Sequence, residues 1–320
     1  MSRMLLPAAL ASAALLAQPI LATQAQAHAV AGARVFINTL TLDDPGVADE
    51  AALPTFSWQP NVNGGAQQNQ YVVNVEIDKR ITENLAVGLN YGYTMTTTKG
   101  SKTQAGFQNL IGQIKYQAYV NPEHEFMVSL GVAQSFGGTG NVAAGADTYG
   151  TTSPTLYWGK GLGDLPIGYL RPLAITGTMG YGIANNGLKT TTVVDPDSGN
   201  SVVNYNNGNN NVFFGGLALQ YSIPYLTSQV KDFGLPNWMN RLVPVVEFTW
   251  QSATTRPSNM QTSYQLAPGI AYSGDSYQLA AELLVPLNAA AGTSIGFIAQ
   301  IHLYFDDIFP NTLGKPLVNW

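Results

Sequence analysis

Histidine is the side chain best suited to acid–base catalysis at neutral pH, and this sequence contains three. His28 follows a run of small residues, His124 lies in an acidic break, and His302 lies in an alternating segment near the C-terminus. A lipid-hydrolysing enzyme would need one of them beside a nucleophilic serine. The pattern indicates no such pair, so we interpret His302 as a polar residue on the inner face of a strand and expect no enzyme.

Metal and cofactor chemistry is also poorly supported by the residue types. The sequence has no cysteine, so disulfides, thiol nucleophiles and thiolate metal sites are excluded. The acidic pairs Asp43-Asp44 and Asp306-Asp307 lack the spacing of an EF-hand loop. The net charge is −5 without clusters of Lys and Arg, which argues against nucleic acid as a partner. We expect no metal, no cofactor and no nucleic acid.

A few charged residues remain as candidates for function. Glu76, Lys115, Glu247 and Glu282 occur in segments that are otherwise apolar or alternating, in phase with the polar face, as is His302. Charges in such positions are unfavourable unless they are paired or hydrated. They could line a solute path and favour cations, or they could form ion pairs that brace the wall of the fold; the sequence leaves both open.

The composition indicates which kind of fold holds these residues. Charged residues make up 10% of the 320, whereas soluble domains carry roughly 25%. Hydrophobic residues are nonetheless only 45%, and after the N-terminus no run approaches the ~20 apolar residues of a membrane-spanning helix. These features are typical of a transmembrane β-barrel, in which apolar residues alternate with polar ones.

The alternation itself is clearest from Leu85 to Thr96, where Leu89 and Tyr91 share a face opposite Asn90 and Gly92. Similar segments recur along the chain, and with a weaker strand at 34–39 they predict an all-β antiparallel barrel of about twelve strands. The predicted strands are 34–39, 69–78, 85–96, 106–119, 125–136, 154–161, 168–183, 211–222, 243–252, 263–273, 278–285 and 294–305.

Bacterial barrels alternate short periplasmic turns with longer external loops, and the predicted breaks follow that alternation. The sequence predicts external loops at 40–68, 137–153, 185–210 and 253–262. The segment 224–242 falls on the periplasmic side and is too long for a turn. Its apolar residues predict either a short helix on the rim or an ordinary packed turn.

The two ends of the chain differ from the barrel. Residues 1–27 have the charge, apolar run and Ala-Gln-Ala site of a secretory signal peptide, which leaves 28–305 for the barrel. Residues 306–320 contain Pro310 and Pro316, which prevent a further regular strand. We expect this periplasmic tail either to dock in the barrel mouth or to present Trp320 to the assembly machinery.

Two strings, T-E-N-L-A-V-G-L-N-Y-G-Y (82–93) and Y-W-G-K-G-L-G-D-L-P-I-G-Y-L-R-P (157–172), resemble segments of Gram-negative outer-membrane barrels of the phenol meta-pathway type. The resemblance implies passage of small solutes, hydrophobic or aromatic ones among them. It carries over no binding residue. The tail after Phe305 departs from barrels of this kind, which commonly end on the aromatic residue of the last strand.

The function that these observations favour is a channel or transporter for small solutes in the outer membrane of a Gram-negative bacterium. Its expected partners are outer-membrane lipid, the solutes and the assembly machinery. One alternative is a structural or surface-interaction barrel with a filled lumen. A lipid-acting enzyme is a weaker alternative, because the required Ser and His pair is not indicated.

Overall fold

A computed structural model describes residues 29–63, 65–187, 190–194, 198–199, 201–205, 209–255 and 260–318. The predicted signal peptide, 1–27, and Trp320 lie outside the described residues. Among the described residues, no helix combines the length and apolar character needed to cross a bilayer.

The described residues are mainly extended. The strands are β1 Ala29–Ala31, β2 Arg34–Phe36, β3 Glu50–Asn63, β4 Ala66–Thr82, β5 Leu85–Thr98, β6 Gln104–Phe107, β7 Ile111–Asn121, β8 Phe126–Ser135, β9 Thr151–Gly161, β10 Leu173–Ala184, β11 Thr190–Val194, β12 Ser201–Tyr205, β13 Val212–Tyr221, β14 Leu242–Ala253, β15 Ser263–Ser273, β16 Tyr277–Pro286 and β17 Gly296–Tyr304. Short helical turns are Val142–Ala144, Gly168–Leu170, Ile223–Tyr225, Leu226–Val230, Met239–Arg241 and Phe305–Ile308.

Twelve of these strands close into one antiparallel barrel. In sheet order they are β3, β4, β5, β7, β8, β9, β10, β13, β14, β15, β16 and β17, and β17 pairs with β3 to complete the circle. The short strand β6 adds to β5 at one end, while β11 and β12 form a hairpin outside the barrel sheet. The predicted fold class and strand number are therefore confirmed.

The two faces of the barrel follow the predicted phase. On β5, Leu89 is 58% exposed on the outside, whereas Thr94 on the opposite face is 2% exposed. Apolar side chains of the other barrel strands, such as Ile114, Leu130 and Leu217, share the outer face and are exposed. An apolar outer surface on a closed barrel is the arrangement of an outer-membrane protein, because hydrocarbon contacts that surface.

Connections at the two ends of the barrel differ in length. One end, called the turn end, carries the connections 83–84, 122–125, 162–172, 222–241 and 274–276. The other, called the loop end, carries 64–65, 99–110, 136–150, 185–211, 254–262 and 287–295. The long segment 222–241 at the turn end consists of short helical turns and irregular chain rather than one rim helix.

The start of the barrel was predicted incorrectly. The first barrel strand is β3, not 34–39, and the predicted external loop 40–68 contains this strand instead. Pro54 and Pro60 make the sequence of β3 unlike that of a strand. Proline has no backbone N–H to donate to a neighbouring strand and is normally confined to edge strands or bulges. The pairing of β3 shifts register between Ala52 and Thr55, so Pro54 lies in a bulge that accommodates it.

The C-terminal tail docks on the turn end. The backbone N–H of Leu317 donates to the carbonyl oxygen of Arg80 at 3.2 Å, and that of Val318 donates to Ile81 at 2.8 Å. The Arg80 guanidinium donates to the carbonyl oxygen of Gly314 at 3.0 Å. Of the two roles that the sequence left open for the tail, docking is the one that its contacts show.

Candidate functional site

Residues 29–49, called the plug below, lie inside the barrel. Their partners are inward-facing side chains from most of the wall, which is possible only for a segment in the lumen. These partners are Lys115 on β7, Ser129 on β8, Thr178 on β10, Gln220 on β13, Glu247 on β14, Gln278 on β16 and His302 on β17. The plug enters at the turn end, reaches its tip near Asp43, and returns to the turn end at Asp49, where β3 begins.

Arg34 fixes the beginning of the plug. Its side chain is fully buried and donates to Glu125 at 3.1 Å and to the carbonyl oxygen of Pro172 at 3.0 Å. The guanidinium also stacks on the ring of Tyr225, 3.8 Å from its centroid, and the Tyr225 hydroxyl donates to Glu125 at 2.7 Å. Buried ion pairs with this many hydrogen bonds are costly to break from one side. The first turn of the plug is therefore held in one position.

A second ionic network fixes the end of the plug. Asp49 accepts hydrogen bonds from Lys79 Nζ at 2.5 Å and from the Arg80 backbone N–H at 2.8 Å and side-chain Nε at 3.0 Å. Arg80 also donates to Asp306 at 2.9 Å. The network joins the plug, β4 and the C-terminal tail at the turn end.

One side of the plug, called the packed side, contacts β13 to β17 through apolar groups. Ile37, Leu40 and Leu42 of the plug are the apolar side chains on this side. They pack against inward-facing residues of these strands: Ala218, Val243, Val245, Ala267, Ala271, Ala280, Leu284 and Ile298. A Cβ on Gly216 would lie 2.4 Å from Leu42, so the glycine makes room for the plug. Close packing fills the space around Leu40 and Leu42 on this side. At the turn end, a separate cavity of about 190 Å³ lies between residues 33–37 of the plug and the wall, where Val243 and Ser273 line it.

Glu247 holds the middle of the plug on the packed side. Its carboxylate is fully buried and accepts hydrogen bonds from the backbone N–H of Leu40 at 2.7 Å and of Thr41 at 2.9 Å, and from the Thr41 hydroxyl. The plug forms no ladder here, so these donors depend on the carboxylate. Glu247 therefore anchors the backbone of the plug on the packed side.

Glu282 lies beside Glu247. It is 3% exposed, and no N–H or O–H group among the described residues donates to its carboxyl oxygens. The Glu247 carboxyl lies next to it. A Cβ on Gly269 would lie 2.3 Å from Glu282 Cγ, so this glycine gives the side chain room to extend across β15. Glu282 is enclosed on the packed side.

The opposite side of the plug, called the polar side, faces β3, β4, β5 and β7. Lys115 Nζ donates to Asp43 at 2.7 Å and to the carbonyl oxygen of Asp44 at 3.2 Å, and it lies 4.9 Å from the centroid of the Tyr157 ring. On β4, Glu76 accepts hydrogen bonds from Asn90 at 3.0 Å and from Gln113 at 2.9 Å. The groups on this side are hydrogen-bonded, but they are not tightly packed.

A cavity of about 220 Å³, called the side cavity, separates the plug from the wall on the polar side. Its polar and charged lining includes four carboxylates and one imidazole. The lining residues are Asn38, Thr39, Leu40, Thr41, Leu42, Asp43, Glu50, Ala52, Thr55, Asn74, Glu76, Asp78, Asn90, Gln300 and His302.

A larger cavity of about 790 Å³, called the vestibule, occupies the loop-end half of the lumen. Residues 41–43 at the tip of the plug form its floor, and its walls include Tyr157, Trp250 and Gln265. The vestibule and the side cavity share Thr41, Leu42, Asp43, Glu76 and Asn90 in their linings. The two cavities are therefore adjacent, and together they reach past the tip of the plug.

The five residues predicted for a solute path all face the barrel interior, but they do not form one site. Glu76 and His302 line the side cavity, and Lys115 lies next to it on the polar side. Glu247 and Glu282 lie next to each other on the packed side, where Glu247 bonds the plug backbone. A role in transport remains a prediction for all five residues. The cavity lining supports this prediction more for Glu76, His302 and Lys115 than for Glu247 and Glu282.

Sequence reasoning missed Asp43, Glu50 and Asp78 in the side cavity. Asp78 was detectable, because it is in phase with Glu76 on the polar face of β4. Asp43 and Glu50 were not, because they belong to the plug and to the proline-containing strand that it precedes. The described residues include no group of three or more His, Asp or Glu side chains placed to hold a metal ion.

The sequence also contains one Gly-x-Ser-x-Gly string, at 292–296, which is a feature of some serine hydrolases. It lies in a loop-end connection, and the carbonyl oxygen of Ser294 accepts a hydrogen bond from Gln59. His302 lies six residues along β17 from Gly296, about 20 Å in an extended strand, and is hydrogen-bonded to Glu50. The serine and the histidine are therefore too far apart for a catalytic pair.

No protein-family model matches the sequence, and a comparison with characterised proteins finds no match. Solved structures do match. An outer-membrane channel from Pseudomonas putida F1 has 10% identity and a TM-score of 0.52, and the alignment covers 81% of this chain and 96% of that one. The beta domain of a Bordetella autotransporter has 14% identity and a TM-score of 0.45, with coverage of 81% and 99%. At these identities the likeness is one of fold, and the fold is that of a Gram-negative outer-membrane β-barrel.

Proposed function

We propose that this protein is a passive channel through which small solutes cross the outer membrane along the polar side of the plug. The vestibule receives the solute from the loop end, and the side cavity continues past the tip of the plug. The observation that carries the proposal is this pair of adjacent cavities, because a barrel that serves only as a scaffold needs neither. Because bacterial barrels have their longer loops outside the cell, the loop end faces the exterior and the turn end faces the periplasm.

The lining of the route favours polar solutes over the hydrophobic or aromatic ones that the sequence resemblance implies. Carboxylate, amide and hydroxyl groups dominate the side cavity. An aromatic solute would have to displace water from these groups without replacing their hydrogen bonds, which is unfavourable. Apolar surface is available on the packed side, but the plug covers it.

Proteoliposome swelling tests the proposal directly. Vesicles that contain the protein should swell in isotonic solutions of small polar solutes, and the rate should fall steeply as the solute outgrows the side cavity. Vesicles without protein provide the background. Swelling no faster than this background for every solute would contradict a channel.

A structural barrel with a filled lumen is the second candidate, and the plug is the observation that favours it. Residues 29–49 occupy the turn-end half of the lumen and are anchored at both ends. Planar bilayers separate the two functions. A channel gives discrete current steps with the plug in place, whereas a filled barrel gives none.

A further inference from the structure

Two rows of residues on adjacent strands form part of the vestibule wall. The row nearer the loop end is Gly180, Phe214, Gln251 and Ser263, on β10, β13, β14 and β15. The row nearer the plug is Thr178, Gly216, Thr249 and Gln265, on the same strands. All eight are in phase with Ala218 and Glu247, which face the barrel interior. Four neighbouring strands span about 14 Å, so these side chains can contact one small ligand.

Phe214 gives this wall an aromatic surface. Its ring lies over the neighbouring strand, where a Cβ on Gly180 would be 2.3 Å from Phe214 Cζ. A larger residue at 180 would displace the ring, so the glycine makes room for it against the wall. The side chain is half-buried and lines the vestibule. Part of the ring is therefore available to a ligand, beside a polar surface.

The polar groups next to this ring are free to bind a ligand. They are the hydroxyls of Thr249 and Ser263 and the amides of Gln251 and Gln265, which all line the vestibule. None of these four side chains is hydrogen-bonded to another group in the described part of the chain. Together they supply several donors and acceptors within two strands. The five residues Phe214, Thr249, Gln251, Ser263 and Gln265 are called the vestibule patch below.

The composition of the vestibule patch indicates the class of ligand. None of its residues is ionisable, so a charged group would find no counter-charge there. Elsewhere the described lining of the vestibule contains Asp43, Glu76 and Asp147 but no lysine or arginine, which disfavours anions. A saccharide ring has C–H groups on its face and hydroxyls on its edge, which match an aromatic ring beside amides. The volume of about 790 Å³ is within the ~300–1,000 Å³ of small-molecule sites.

We propose that the vestibule patch binds neutral saccharides, and that these are the solute class of the channel. The second half of the inference rests on the proposed function, because binding alone does not require transport. The plug lies directly below the patch, since Gly216 in the lower row is against Leu42. A saccharide that leaves the patch is then next to residues 41–43, where the vestibule meets the side cavity.

Saturation-transfer NMR of the purified barrel with methyl β-D-glucoside tests the binding, in a detergent without a sugar headgroup. The test variant Phe214→Leu removes the ring and keeps an apolar side chain. The control is Phe213→Leu, because Phe213 is on the outer face of the same strand, beside Trp250. We expect the dissociation constant to rise about threefold or more in the test variant and to stay at the wild-type value in the control.

A second variant removes the polar half of the vestibule patch. Gln251→Leu with Gln265→Leu preserves side-chain size approximately and deletes both amides, so the dissociation constant should rise about fivefold or more. Heat-modifiable migration on a denaturing gel confirms that each variant is a folded barrel. No saturable binding to the wild type, or wild-type affinity in either patch variant, would overturn the inference.

Two relatives of glucose test the assigned ligand class. Sorbitol keeps the hydroxyls but has no ring face for Phe214, and glucuronate keeps the ring but carries a carboxylate. Each should bind at least about threefold more weakly than the glucoside. Binding of either one as tightly as the glucoside would refute the neutral saccharide as the ligand of this patch.

The outcome is separable from that of the proposed function. A wild-type barrel that binds the glucoside but gives no current and no swelling would refute the channel and retain the binding site. A barrel that conducts ions but does not bind the glucoside would retain the channel and refute the assigned site.

Discussion

The two sides of the plug show how one lumen can be both closed and open. On the packed side, apolar residues of β13 to β17 contact Ile37, Leu40 and Leu42, and a cavity of about 190 Å³ lies at the turn end, next to Ile37 and Val243. On the polar side, the same plug faces Glu76, Asp78 and His302 across a cavity. Hydrophobic burial positions the plug, and the carboxylates keep the other side hydrated. In the proposed channel, the plug therefore confines the solute route to one side of the barrel.

The strongest test of the packed side is Ala218→Asp. Ala218 is fully buried against the plug, so the substitution places a charge where no partner or water is available. We expect the plug–wall contact to lose about 3 kcal/mol or more, which releases the plug and raises single-channel conductance. Asn74→Asp on the polar side is the matched control and should leave conductance size within twofold of wild type. Equal effects of the two variants would remove the distinction between the sides.

Glu247→Ala removes the side chain that anchors the plug backbone and should have a smaller effect than Ala218→Asp. It leaves the backbone N–H groups of Leu40 and Thr41 without their acceptor, which costs about 1–3 kcal/mol for each buried group. The plug should become sensitive to added protease, and the current should become noisier. Glu247→Gln keeps one acceptor oxygen and should be milder. Protection of the plug in the alanine variant would show that Glu247 does not hold it.

The smallest expected effect is that of Lys115→Gln on the polar side. The substitution removes a buried cation, but its partner Asp43 is 33% exposed and can be rehydrated, so the pair is less costly to break than one whose two members are both buried. Heat-modifiable migration on a denaturing gel checks that the variant is a folded barrel. The negative potential along the route becomes stronger, and the cation-to-anion permeability ratio from reversal potentials should rise. A fall in this ratio would place the conducting route elsewhere.

The barrel was predictable because its signal is local. Alternation such as that of Leu85 to Thr96 is repeated strand after strand, and the pairing of neighbouring strands follows from it. The inward direction of Glu76, Lys115, Glu247, Glu282 and His302 came from the same signal.

The plug was not predictable from such patterns, because its partners are distant in sequence. The backbone N–H of Ile37 donates to Gln220, which lies 183 residues further along the chain. One signal was nevertheless present. In β16, Ala280 and Leu284 face inward while Leu279 and Leu283 face outward, so the strand is apolar on both faces. A water-filled lumen does not require apolar residues on the inner face, and their presence indicates that something else covers them.

The most direct test of the central claim is the accessibility of single cysteines on the two sides of the plug. The natural chain has no cysteine, so Asn74→Cys in the side cavity and Ala271→Cys on the packed side are each the only thiol. A small cationic methanethiosulfonate is added from the loop end, and its rate of reaction is measured together with the current. We predict that Asn74→Cys reacts at least about a hundredfold faster than Ala271→Cys and that its modification changes the current, because Asn74 lines the side cavity whereas Ala271 is fully buried against the plug. Equal rates at the two positions would contradict a route confined to the polar side.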